Sequence, residues 1–179
     1  MKKIILTVFA ATSLLLYSTQ AFALLSVSVG VPLSHTITGK GNDGGESKSD
    51  GVSGYFIQVG VPILPGIGMD SYKTKIKDSE IDLVTMIYNL YYLLPIPVIN
   101  LTLGVGVGST ELQCSSCAAV YDKGSATQFY TSLGIPIIPL FDFHISYRMI
   151  TSKNIKWKGT ENKLDTSGSV MGAGFAFNF

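Results

Sequence analysis

Met171-Gly172-Ala173-Gly174-Phe175-Ala176-Phe177-Asn178-Phe179 ends the chain. Side chains of a β-strand point alternately to opposite faces. Met171, Ala173, Phe175, Phe177 and Phe179 therefore share one face, and Gly172, Gly174, Ala176 and Asn178 share the other. One face is apolar and the other is small or polar.

The same period recurs upstream. Phe141, Phe143, Ile145, Tyr147 and Met149 oppose Asp142, His144, Ser146 and Arg148. Ile99, Leu101, Leu103, Val105 and Val107 oppose Asn100, Thr102, Gly104, Gly106 and Gly108. A slip of one residue would move Asp142 and Arg148 to the apolar face, so the pattern fixes the register. In the region 81–93, Leu83 and Ile87 compete with Val84 and Met86 for the apolar face, and the orientation stays open there.

Prolines mark the turns. Pro62/Pro65, Pro95/Pro97 and Pro136/Pro139 form three pairs, and proline is tolerated at strand ends rather than in a central ladder. Polar stretches lie between these turns at 39–50, 75–80, 113–125 and 152–166. The punctuation predicts eight strands, at 25–38, 51–63, 67–76, 81–93, 98–112, 126–137, 140–151 and 167–179. Each has the 9–11 residues that a tilted membrane strand needs. Long polar loops alternating with tight turns are the asymmetry of an outer-membrane barrel.

At the N-terminus, Lys2 and Lys3 precede an apolar run from Ile4 to Leu16 and an Ala21-Phe22-Ala23 cleavage site. This is the pattern of a secretory signal peptide. Residues 1–23 are expected to be removed, leaving a barrel of residues 24–179 that is exported through the periplasm to a bacterial outer membrane. Of the 13 basic residues, two leave with the signal peptide, so 11 basic and 12 acidic residues remain. A net charge of −1 gives no signal for nucleic acid.

The whole chain is 46% hydrophobic and 14% charged, against about 25% charged in a typical soluble domain. A soluble β-sandwich also alternates, but its polar face meets water. Here the opposite face is small and glycine-rich, which suits the crowded lumen of a closed eight-stranded barrel. An open sheet in lipid would leave its edge groups unsatisfied, so closure is required. Tyr88, Tyr91, Tyr92, Phe141, Phe143, Phe177 and Phe179 are expected to mark one aromatic belt. Tyr55, Phe129, Tyr147 and Trp157 are expected to mark the other.

The ending, with Phe175, Phe177 and Phe179, resembles the terminal strand of bacterial outer-membrane proteins. In that family the C-terminal aromatic pattern is the signal read by the barrel-assembly machinery. The mature chain as a whole resembles the small OmpA/OmpX-type barrels. The resemblance implies an all-β, closed, antiparallel up-and-down transmembrane barrel. Its partners would be outer-membrane lipid, lipopolysaccharide and the assembly machinery.

Asp142, His144, Ser146 and Arg148 share the inner face of one strand. A Ser–His–acid set can supply a nucleophile and a base. His144-Ile145-Ser146 also resembles the His-x-Ser motif of the outer-membrane lipid A deacylases. That resemblance implies Ser146 as nucleophile and His144 as base, with Glu161 as the nearest downstream acid. The family has asparagine after its serine, where this chain has Tyr147. The alternative is a satisfied polar core of Asp70, Asp142, His144 and Arg148, with Arg148 paired to Asp142 or Asp70 and His144 bridging, because an unpaired buried charge is costly.

Cys114-Ser115-Ser116-Cys117 reads as a local disulfide in a loop, since an exported chain meets an oxidising compartment. A redox pair of this spacing belongs near a βαβ pattern, and none is present. Gly104-x-Gly106-x-Gly108 lacks the strand–turn–helix setting of a dinucleotide site. No cofactor or metal site is expected. The leading expectation is a non-enzymatic structural or surface-interacting barrel that acts through loops 39–50, 113–125 and 152–166. The rivals are a lipid A-modifying enzyme and a narrow pore.

Overall fold

The computed structural model describes residues 25–39, 49–61, 64–96, 99–138, 140–153, 155–160 and 163–179. The expected signal peptide, most of loop 39–50 and Glu161 lie outside the described residues. The strands are β1 (Ser26–Ile37), β2 (Ser49–Gly60), β3 (Gly66–Ile76), β4 (Asp82–Ile96), β5 (Ile99–Gln113), β6 (Gly124–Ile138), β7 (Phe141–Thr151), β8 (Ile155–Lys156), β9 (Lys163–Leu164) and β10 (Gly168–Asn178). One short helix, α1 (Cys117–Val120), lies between β5 and β6.

Eight of these strands close into an antiparallel barrel in the order β1-β10-β7-β6-β5-β4-β3-β2. The eight expected strands are these eight. The second strand was expected to run to residue 63 but stops at Gly60, because Gly60 already pairs with Ser26, the first residue of β1. Loop 152–166 is not wholly irregular, since β8 and β9 pair there as a small hairpin.

Phe179 closes the ring. Its amide donates to the Leu25 carbonyl at 2.8 Å, and the Leu25 amide donates back to the Phe179 carbonyl at 3.2 Å. The adjoining ladder runs from Ser26↔Asn178 to Ile37↔Gly168, with a bulge between Pro32 and Ser34. Bulges tighten the local twist that closure needs. The β1–β2 ladder is short, ending at Gly30↔Phe56. Beyond that point β2 keeps only its ladder to β3, which runs from Val59↔Ile67 to Ser49↔Ile76, and Gly54 sits there at φ 150, where a Cβ would strike the backbone of Ser71 and Tyr72.

The two faces separate as the alternation requires. On β5, Leu103, Val105 and Val107 point outward, while Asn100, Gly104 and Gly106 are buried. On β7, Ile145, Tyr147 and Met149 are exposed, and Asp142, Ser146 and Arg148 are buried. The ambiguity on β4 resolves with Leu83 and Ile87 inside and Met86, Tyr88 and Leu90 outside. The result is an inverted molecule, with an apolar belt outside and a polar core inside.

The inner face is not uniformly small. Phe56, Tyr72, Ile87 and Tyr130 are buried in it, and the glycines make room for these large side chains. A Cβ at Gly104 would overlap the Tyr130 ring, and one at Gly66 would overlap Tyr91. Tyr91 accordingly leaves the expected outer belt and points inward. Replacing Gly104 with valine should destabilise the barrel by about 1–3 kcal/mol, because an overpacked core must shift side chains and backbone. Denaturant unfolding of the detergent-solubilised protein measures this.

The loop end carries an apolar lid. Ile37, Leu83, Leu112, Cys117 and Ile155 form a buried cluster, with Tyr121 and Leu164 packed against it. Cys114 and Cys117 are joined by a disulfide that ties the start of α1 to the end of β5. The opposite end of the barrel is the turn end.

Candidate functional site

The candidate residues occupy the lumen in two layers, both built by inward positions of the alternating strands. The central layer is organised around Arg148. Its Nε donates to Asp70 Oδ2 at 3.0 Å, and the two side chains are 3% and 0% exposed. Gln128 Nε2 donates to the same oxygen at 2.6 Å and to Asn89 Oδ1 at 2.9 Å. The guanidinium lies over the Phe56 ring at 3.5 Å and faces the Tyr130 ring at 5.1 Å. Gln58 Nε2 donates to the Tyr130 hydroxyl at 2.8 Å. A buried ion pair needs further hydrogen bonds to offset its desolvation; Gln128 adds one to Oδ2, while Asp70 Oδ1 is buried without a hydrogen-bond partner.

Asp70, rather than Asp142, is the partner of Arg148. Asp142 lies six residues from Arg148 on the same strand, about 20 Å along it. Asp142 instead accepts from Asn100 Nδ2 at 2.7 Å and Asn178 Nδ2 at 3.0 Å. His144 does not bridge the two acids. Its ring nitrogens lie 3.4 and 3.5 Å from Ser28 Oγ. These groups form the turn-end layer and line a cavity of about 40 Å³ together with Tyr91 and Ser132.

Ser146 and His144 both face the lumen, as neighbours along β7. The Ser146 hydroxyl accepts a hydrogen bond from Arg148 Nη1 and donates to the Gly172 carbonyl at 3.3 Å. Two residues along a strand span nearly 7 Å, and the short serine side chain turns to the guanidinium above it. Ser146 is buried, with Tyr147 and Ile145 exposed beside it on the outer face.

Several members of these layers were not singled out from the sequence. Gln128, Asn89, Asn100, Asn178 and Gln58 join them, and His35 bonds Thr74 Oγ1 at 2.7 Å nearer the loop end. The available signal was parity. Each is a polar residue at an inward position of an alternating strand.

At the loop end a second cavity, of about 410 Å³, lies between β5, α1 and Lys158. Lys123 pairs with Glu111 at 2.7 Å. Lys158 donates to the Ala118 carbonyl at 2.6 Å and lies 3.9 Å from Asp122. This surface is polar, mixed in sign and anchored by the disulfide.

The sequence matches no protein-family model and no curated protein. Among solved structures, Neisserial surface protein A (NspA) aligns over 87% of this chain and 97% of its own, at 14% identity and a TM-score of 0.62. The outer membrane protein OprG from Pseudomonas aeruginosa aligns over 88% and 96%, at 13% identity and a TM-score of 0.56. Both alignments span the full barrel. The inverted polarity, the closure at Phe179 and these likenesses agree that the chain has the fold of the small eight-stranded outer-membrane β-barrels.

Proposed function

We propose that this chain is a bacterial outer-membrane barrel of structural or surface-interaction type, acting through its loop end and not through chemistry or bulk transport. The observation that carries this reading is the blocked lumen. The layer of Arg148, Asp70, Phe56 and Tyr130 crosses it, and all four side chains are buried. Eight strands enclose little more than their own side chains. The apolar belt fits hydrocarbon, and the mixed-charge loops 113–125 and 152–166 face the outside, where they meet lipopolysaccharide or an external ligand. Loop 39–50 joins them in this reading. Export follows from the signal peptide at residues 1–23, and the Phe175, Phe177 and Phe179 stripe is the assembly signal.

The decisive experiment combines fractionation with bilayer recording. The protein should be found with the outer membrane and migrate differently on gels before and after heating. Purified protein should give no large, stable conductance steps. Recovery from the soluble periplasmic fraction, or porin-sized steps, would overturn the proposal.

The enzymatic rival makes a separate prediction. Mass spectrometry should find the same lipid A acyl chains with and without expression, and with Ser146→Ala in place of the parent. Expression-dependent loss of an acyl chain, abolished by Ser146→Ala, would reinstate the deacylase reading.

A further inference from the structure

Among the described residues the lumen holds two buried carboxylates, Asp70 and Asp142, against one guanidinium, Arg148. Arg148 is committed to Asp70. Asp142 is 6% exposed, and among the described residues its carboxylate enters no ion pair. Its donors are the neutral amides of Asn100 and Asn178, and both reach Oδ2. Two amides do not neutralise a carboxylate, and a buried charge without a counter-charge is costly.

What lies beside it is specific. His144 projects from the same face of β7 two residues away and lines the same cavity, with Ser28, Ser132 and Asn100 contributing neutral oxygens. The imidazole has little lateral freedom on one side, since a Cβ at Gly174 would press on its Nε2. The cavity of about 40 Å³ holds an ion with two or three waters, each needing roughly 10–15 Å³. It is too small for a sugar or an amino acid.

We propose that this turn-end cavity binds one divalent transition-metal ion through the Asp142 carboxylate and the His144 imidazole. The carboxylate supplies charge compensation. The imidazole favours zinc, copper or nickel over calcium or magnesium, which take all-oxygen sites. Among the described residues no group of three or more histidine, cysteine or acidic side chains forms a metal site. Water and neutral oxygens therefore complete the coordination sphere, and the affinity is modest. The site opens toward the turn end, so the ion enters from the periplasmic side in the proposed orientation.

Calorimetric titration of the detergent-solubilised protein with Zn²⁺ tests this. The expected result is a saturable site that Asp142→Asn and His144→Gln each weaken at least tenfold. Lys158→Ala, at the opposite end, should leave it unchanged. Heat-modifiable migration shows that each variant is folded. If Asp142→Asn does not fold, His144→Gln decides, together with nuclear magnetic resonance in the presence of Co²⁺. There are two histidines in the chain, and the His144 ring signals should shift while those of His35 do not. Absence of saturable Zn²⁺ binding, or binding that survives His144→Gln, would overturn the proposal. So would Ca²⁺ binding as tightly as Zn²⁺, which would mark a plain carboxylate site.

Discussion

Arg148→Met should destabilise the barrel by about 3–5 kcal/mol, the usual cost of leaving one member of a buried ion pair without its partner. The substitution strands the Asp70 carboxylate, which is fully buried and would keep only the Gln128 amide. It also removes the cation from between Phe56 and Tyr130, contacts that are worth about 2 kcal/mol when desolvated. Ser146 loses its donor as well. The single loss is therefore large even though the intact pair contributes little net stability. A double variant, Arg148→Met with Asp70→Leu, separates the two quantities. With both charges gone no carboxylate is stranded, so the double variant should be more stable than Arg148→Met alone. Denaturant unfolding in lipid vesicles, followed by heat-modifiable migration, measures both. An Arg148→Met barrel within 1 kcal/mol of the parent would mean that this layer is hydrated.

Val105→Arg should cost about 2–4 kcal/mol if the outer belt faces hydrocarbon, the range for a cation near the bilayer midplane. Val105 lies mid-strand on β5, is 55% exposed, and pairs with Leu90 and Phe129, both also outward. The substitution fills no cavity and breaks no hydrogen bond. On a barrel surrounded by water the same exposed change would stay within about 0.5 kcal/mol. The size of this one number therefore separates lipid from water as the solvent of the belt. Unfolding from vesicles of defined thickness is the measurement. A change below 0.5 kcal/mol in lipid would remove the membrane reading of the fold.

Strand positions were legible because two independent signals coincide. Alternation marks which residues are in strands, and proline pairs mark where strands end. Both act over a few residues, so the sequence carries them directly. The contents of the lumen were less legible. Asp70 and Asp142 were equal candidates for Arg148, because both sit at inward positions. The choice between them depends on the stagger of β3 against β7 around the barrel, a property of strand tilt and shear. Tyr91 illustrates the same limit. Its neighbours Tyr88 and Tyr92 are exposed, and only the glycines under its ring, Gly60 and Gly66, show that a ring fits inward. The turn-end cavity depends on seven strands at once and could not be read from any one of them. The hairpin of β8 and β9 escaped notice for a different reason. Two-residue strands are too short for period-2 alternation to register.

The hydrogen bonds between Leu25 and Phe179 join the first and last described residues. The barrel therefore contains a contact whose loop is nearly the whole chain, and such non-local pairings make folding slow. Synthesis order adds a second consequence. While the last strand is missing, β1 and β7 both present unpaired edges, the arrangement that invites strand exchange and aggregation. A chain without β10 leaves both of these edges open, and open edges are not tolerated in hydrocarbon, so closure of the ring is a condition of any membrane-embedded state.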